Sequence, residues 1–172
     1  RGAAALSAKG IPCIGLPGTI DNDIVCTEYT IGYDTAMNTA VEMIDKLRDT
    51  AQSHDKCSVV EVMGRNAGWI ALNVGLAVGA VGIVVPEMPF DINVLAEKMK
   101  RVQSYRKQHF IVVFAEGCGN SAEFAKKLTE LTGIETRDTV LGHVQRGGAP
   151  TLRDRVIASE MGYYAIQLLD GG

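Results

Sequence analysis

A chain of 172 residues, 47% hydrophobic and 22% charged, can bury the core of one ordinary domain or somewhat more. Its net charge of -3 argues against general nucleic-acid binding, and no apolar run reaches the roughly 18 residues of a membrane helix. Cys13, Cys26, Cys57 and Cys118 form no CxxC pair, so they read as small buried hydrophobes in a reducing cytosol rather than a zinc site or disulfide framework.

Short β-branched runs alternate along the chain with segments of helical period. Residues 3–9 predict a helix stopped by Gly10. No initiator Met precedes it, and the sequence reads as a piece of a longer one. Residues 11–16 predict a strand, ended by the Pro17-Gly18 turn. Residues 30–51 predict a long amphipathic helix with Ala36, Ala40, Met43, Ile44 and Leu47 on its apolar face. A strand follows at 58–63, a helix at 67–80, a strand at 82–86 and a helix at 92–105. The apolar strand 110–115 leads to a helix at 121–132 closed by Gly133, a weaker strand at 136–141 and a last helix at 153–169. Continuous apolar strands, each followed by a helix, define an α/β domain with a parallel sheet covered on both faces. In such folds ligands lie beyond the carboxyl ends of the strands.

The strand ends are therefore where chemistry is expected. Residues 17–23, PGTIDND, put a hydroxyl, an amide and two carboxylates on a loop opened by glycine. Alone this is either a polar turn or an acid/base or metal loop; along extended backbone Asp21 and Asp23 point the same way. Met63-Gly64-Arg65 follows the second strand and leads into a helix start. A bare glycine admits a ligand to the backbone, helix-start amides attract anions, and Arg65 offers a fork for phosphate. A surface arginine beside a helix cap is the alternative. Glu116 is either an acceptor for a sugar hydroxyl or a solvated loop residue. The stretch 137–148 sets Arg137, His143 and Arg146 around a glycine-flexible loop; a lone histidine is usually a satisfied core residue, but two nearby arginines favour a phosphate pocket. Together these ends describe a site for a polyhydroxylated phosphate ester with a candidate carboxylate base, and residue-by-residue reading stops there.

In this order, PGTIDND, VVEVMGRNAGW, AEG and RDTVLGHVQRGGAPTLRDR closely resemble the bacterial ATP-dependent 6-phosphofructokinases, over essentially the whole chain. Arg137, Gly142, His143, Gln145, Arg146, Gly147, Gly148, Asp154 and Arg155 fall at the family's signature spacing. The resemblance implies a three-layer, parallel-sheet, Rossmann-like fold. Residues 1–32 would belong to an ATP-binding domain with the catalytic loop, 33–144 to the fructose-6-phosphate-binding domain, and 145–172 to a return segment. It implies transfer of the ATP γ-phosphoryl group to the 1-hydroxyl of fructose 6-phosphate with Mg2+, in glycolysis, by a cytoplasmic, allosteric homotetramer. Asp21 would be the base, with Thr19 and Arg65 at the transferring group and Asp23 holding Mg2+ through water. Ile20, Met63, Gly64, Glu116, His143, Val144, Gln145 and Arg146 would line the sugar-phosphate site. Lys56 and Arg137 would reach a neighbouring subunit's site.

Gly18 stands where pyrophosphate-using relatives carry a lysine, which favours ATP as donor. Lys56 stands where the family usually has arginine, keeping the charge without the planar fork. An effector site is implied at Arg48, Lys107, Gln108 and His109. It is thinned by Val81 in place of a carboxylate and by Tyr105 and Gln108 in place of lysines, so ADP activation is not expected. The family's glycine-rich ATP loops and a further Mg2+-binding aspartate would lie upstream of Arg1, so this stretch alone is expected neither to hold ATP well nor to turn over. Rival readings are a pyrophosphate-dependent enzyme, an inactive sugar-phosphate-binding fragment and a sugar-phosphate isomerase.

Overall fold

The computed structural model describes residues 2–51, 56–104 and 109–171. Four parallel strands, β1 (Lys56–Val62), β2 (Gly82–Val84), β3 (His109–Ala115) and β4 (Glu135–Val140), form one sheet in the order β2-β3-β1-β4. Among the described residues six α-helices accompany them: α1 (Gly2–Ser7), α2 (Tyr33–Ala51), α3 (Trp69–Ala77), α4 (Ile92–Gln103), α5 (Ser121–Thr132) and α6 (Leu152–Asp170).

Side-chain alternation on the two central strands divides the core. Val60, Val62, Ile111, Val113 and Ala115 face α2 and α3, packing on Ala36, Ala40, Ile44, Ile70 and Val74. Cys57, Val59, Phe110, Val112 and Phe114 face α4 and α5, packing on Leu95, Met99, Ala125 and Leu128. Both faces are buried because a pair of helices covers each, which is why the strands read as unbroken apolar runs. β4 is an edge strand and mostly exposed, hence its weaker pattern.

Three expectations are corrected. Residues 11–16 form no strand: Ile11, Ile14 and Leu16 are exposed, and the nearby pairing among the described residues is an isolated bridge between Gly18 and Ile31. An apolar run becomes a strand only against a partner, and no strand of this sheet runs alongside it. Met43 is only partly buried and is not among the residues packed on the core; Met37 and Val41 take that place beside Ile44 and Leu47. The expected helix at 30–51 begins at Tyr33, after Gly32 with φ 104°.

Chain direction sets the position of the site. After β1 the chain passes to α3 on one face, while after the adjacent β3 it passes to α5 on the other. The loops diverge there, opening a crevice at the carboxyl ends of β1 and β3 where doubly wound folds bind ligands.

Candidate active site

That crevice is floored by a glutamate and two backbone amides. Glu116 leaves β3 in a 3-10 turn, and its Oε1 accepts from Gly64 N (3.0 Å) and Arg65 N (2.6 Å) on the loop after β1. Arg65 has φ 55°, a left-handed backbone that costs a non-glycine residue on the order of 1–3 kcal/mol and persists only where its surroundings hold it. The Glu116 carboxylate does so, and only one of its oxygens is engaged in these two bonds. Gly117 lets the two loops touch: a Cβ there would stand 2.5 Å from the Arg65 carbonyl oxygen.

The same loop is pinned from β4's side. Gln145, in the 3-10 turn Gly142–Arg146, is 1% exposed, and its Oε1 accepts from Met63 N (2.8 Å). That bond fixes the amide's orientation, leaving the Nε2 donor buried with no acceptor among the described residues. His143 and Val144, on the same turn, are exposed.

Across the crevice, Thr19, Ile20 and Asp21 meet Arg65 and Arg146 around a cavity of about 350 Å³ that Gly18 and Ile31 complete. Thr19 Oγ1 accepts from Asp21 N (3.2 Å). Asp21 is only 3% exposed, with Arg65 Nη2 3.5 Å from its Oδ2. Asp23 is more exposed, with Arg65 Nη1 3.8 Å from its Oδ2. Both carboxylates thus converge on one guanidinium. The backbone between them is not extended, however, because Asn22 has φ 52°. Asn22 Oδ1 accepts from Thr30 N (3.0 Å) and Thr30 Oγ1 (3.3 Å), which ties the loop's two ends together and holds that conformation.

Lys56 and Arg137 lie elsewhere. Lys56 opens β1 and Met63 follows its end, a separation of roughly 20 Å at about 3.3 Å per residue. Lys56 Nζ stands 3.4 Å and Arg137 Nη2 2.7 Å from Glu135, the residue in register with Lys56. A hydrogen bond from Arg137, then one from Lys56, holds the Glu135 carboxyl below its ordinary value. Of the effector candidates, Arg48 donates to the Val78 carbonyl at the end of α3, and His109 opens β3 in register with Lys56. Lys107 and Gln108, like Tyr105, lie outside the described residues.

One buried charge escaped the residue-by-residue reading. Asp154 is 2% exposed on the first turn of α6, and its Oδ1 accepts from Gly32 N (2.9 Å) at the start of α2. Its Oδ2 accepts from Thr35 N (2.8 Å) and from the Thr35 hydroxyl. The Thr151-x-x-Asp154 spacing marks a helix start, but nothing local names a partner 122 positions away.

Among the described residues no three His, Cys, Asp or Glu side chains are grouped to hold a metal. Mg2+ keeps several waters and commonly takes one or two carboxylates plus substrate phosphate. Asp23, at the open side of Asp21, fits that demand. A cavity with a buried carboxylate and two arginines beside the switch point of a parallel sheet has the chemistry a phosphate ester calls for, in a protein of the α/β class.

Comparison with known sequences and structures makes the class specific. Residues 1–169 match the family described as PFK, Phosphofructokinase, and the chain belongs to that family. It is 55% identical over 169 residues to the ATP-dependent 6-phosphofructokinase of Brevibacillus brevis, covering 98% of this chain and 53% of that protein. Against ATP-dependent 6-phosphofructokinase 1 of Clostridium perfringens it is 56% identical over 168 residues, with the same coverage. The chain thus spans about half the length of the curated relatives it matches. Phosphofructokinase from Saccharomyces cerevisiae superposes with a TM-score of 0.90 at 36% identity, over 94% of this chain and 23% of that one. The pyrophosphate-dependent enzyme from Marinobacter aquaeolei gives 0.76 at 28% identity, over 99% and 48%.

Proposed function

We propose that the protein containing this chain transfers the γ-phosphoryl group of ATP to the 1-hydroxyl of fructose 6-phosphate. The observation that carries this reading is a nearly fully buried carboxylate, Asp21, in a cavity whose other charged walls are Arg65 and Arg146. Phosphoryl transfer needs little covalent help; it needs an aligned hydroxyl and compensation of charge spread over the moving group.

Each residue then has a task. Asp21 accepts the proton of the sugar hydroxyl as it attacks. Arg65, held at Asp21 and with most of its side chain exposed, swings its fork to the transferring group. Thr19 fixes the Asp21 backbone and offers its hydroxyl to the same space. Arg146 receives the 6-phosphate, with His143 and Val144 beside it on the turn. The oxygen of Glu116 that leaves Gly64 and Arg65 free accepts from a sugar hydroxyl, with Ile20, Met63, Gly64 and Gln145 shaping the walls. Asp23 would hold Mg2+ through water, and the ion would supply positive charge to the donor phosphates.

The donor is ATP on three supports: Gly18 leaves the approach to Thr19 free of a side chain, the matched relatives named above are ATP-dependent, and the pyrophosphate-using neighbour is the more distant in sequence. The four free thiols fit a cytoplasmic setting. Lys56 and Arg137, too far from their own chain's cavity, serve the site of a second copy in a homo-oligomer.

Asp21→Asn in the full-length protein tests the reading. A base contributes on the order of 100- to 10,000-fold, so turnover in a coupled assay is expected to fall by that much. Calorimetric affinity for fructose 6-phosphate should stay within a few-fold. Undiminished turnover would remove Asp21 from its role.

A further inference from the structure

The Asp154 carboxylate sits where three parts of the site meet. It is buried, and it caps the amino end of α2 from a different helix, through Gly32 N, Thr35 N and the Thr35 hydroxyl. Its own backbone N–H donates to Thr151 Oγ1 (3.3 Å), and Thr151 N donates back to Thr35 Oγ1 (3.2 Å). One anion thus serves two helix amino termini, whose partial positive charges it offsets.

The clasp reaches the cavity in both directions. Just before Gly32, Ile31 N donates to the Pro17 carbonyl (2.8 Å), and Ile31 bridges to Gly18, the residue that leads into Thr19-Ile20-Asp21. Thr30, one residue earlier, holds Asn22 on the other side of Asp21. In the opposite direction Asp154 ends the short run that begins at Arg146. A second cavity of about 280 Å³, lined by Ile20, Ile31, Thr35, Arg146 and Asp154 among others, lies directly behind this junction.

We propose that Asp154 is a positioning residue: it fixes the segment carrying Asp21 relative to the turn carrying Arg146, and so sets the attacking hydroxyl against its base. The inference rests on the phosphoryl-transfer reading above. Loss of the clasp lets residues 17–32 shift while Arg146, Glu116 and the turn around them keep their places. Turnover then suffers and sugar-phosphate affinity does not.

The experiment uses the full-length protein. Asp154→Asn keeps the volume but replaces an acceptor oxygen by a donor. Because misplacement by about 1 Å costs up to ~100-fold, kcat per folded molecule with ATP and fructose 6-phosphate is expected to fall by about tenfold or more. Affinity for fructose 6-phosphate by calorimetry should stay within about twofold. Thr35→Val keeps the carboxylate and its bonds from Gly32 N and Thr35 N, losing only the bonds of the Thr35 hydroxyl, so it folds even if the first variant does not. The loss of these two hydroxyl bonds, each a modest one, should lower kcat about threefold to tenfold or more, and Thr35→Ser should restore it. Wild-type turnover per folded molecule in both variants overturns the proposal. So does a loss of kcat and affinity together, in proportion to unfolded protein, which leaves Asp154 as a helix clamp only. A wild-type protein inactive on fructose 6-phosphate defeats the functional reading itself, whereas active wild type with unaffected variants defeats only the role of Asp154.

Discussion

Cys57 is fully buried on β1, and that burial pushes its thiol up to about 12, only partly opposed by a hydrogen bond with Thr136. In the unfolded chain the same thiol ionises near its ordinary value of 9.0. Its contribution to stability is fully present below that value and is lost as pH rises toward 12, because the unfolded state sheds a proton that the native state keeps. Burial also raises Tyr29 and Tyr33, which act in the same direction at higher pH. Urea unfolding should therefore give midpoints that fall above about pH 9, and Cys57→Ala should flatten the early part of that fall. An unchanged slope would show that the thiol titrates freely. A thiol reagent added at neutral pH should label exposed Cys26 and spare Cys57 until the protein unfolds.

At the scale of elements, the crossing of two loops decides whether Arg65 is held in place. The turn after β3 passes so close to the loop after β1 that Gly117→Ala would drive a methyl into backbone at Arg65 and Asn66. Something must shift, and Arg65 already occupies a costly conformation. The expected result is a fall of about tenfold or more in kcat/KM with a modest loss of Tm. Gly162→Ala, in the open middle of α6, should leave activity unchanged and add slightly to stability. Elements whose evidence is local were legible in the sequence: the periods of α2, α4, α5 and α6, the apolar runs of β1 and β3, and the glycine-arginine pair after β1. The rule that α/β sheets bind ligands at their carboxyl ends brings Arg65, Glu116 and Arg146 together from sequence, whereas Asp21 joins them only through the strand expected at 11–16, which does not form. What stayed hidden was partnership. Met63 and Gln145 are 82 positions apart, and Gly32 and Asp154 are 122 apart; no window of sequence contains both members. The segment 11–16 failed for the same reason in reverse, since its composition suits a strand and only the absent pairing decides otherwise.

The whole molecule poses a problem of distance. Lys56 and Arg137 gather on Glu135 near the amino end of β1, while the cavity opens at its carboxyl end. If they bind substrate, they bind it in another copy. Chains carrying Arg137→Ala and chains carrying Asp21→Asn would each be nearly inactive alone. Co-assembled, random pairing should rebuild about a quarter of the sites, measured as recovered turnover; no recovery would confine each site to one chain. α3 bears on the same question. Apart from Asn73 it is apolar on every side, with Ile70, Ala71 and Val74 in the core and Trp69, Leu72 and Leu76 exposed. Trp69 is the chain's sole tryptophan, 49% exposed and four residues beyond Arg65. This stretch of chain therefore carries its own optical reporter beside the site. Its emission should move to shorter wavelength if another surface comes to cover α3, and collisional quenching by iodide should fall in step, so crowding of this one indole can be followed without a label.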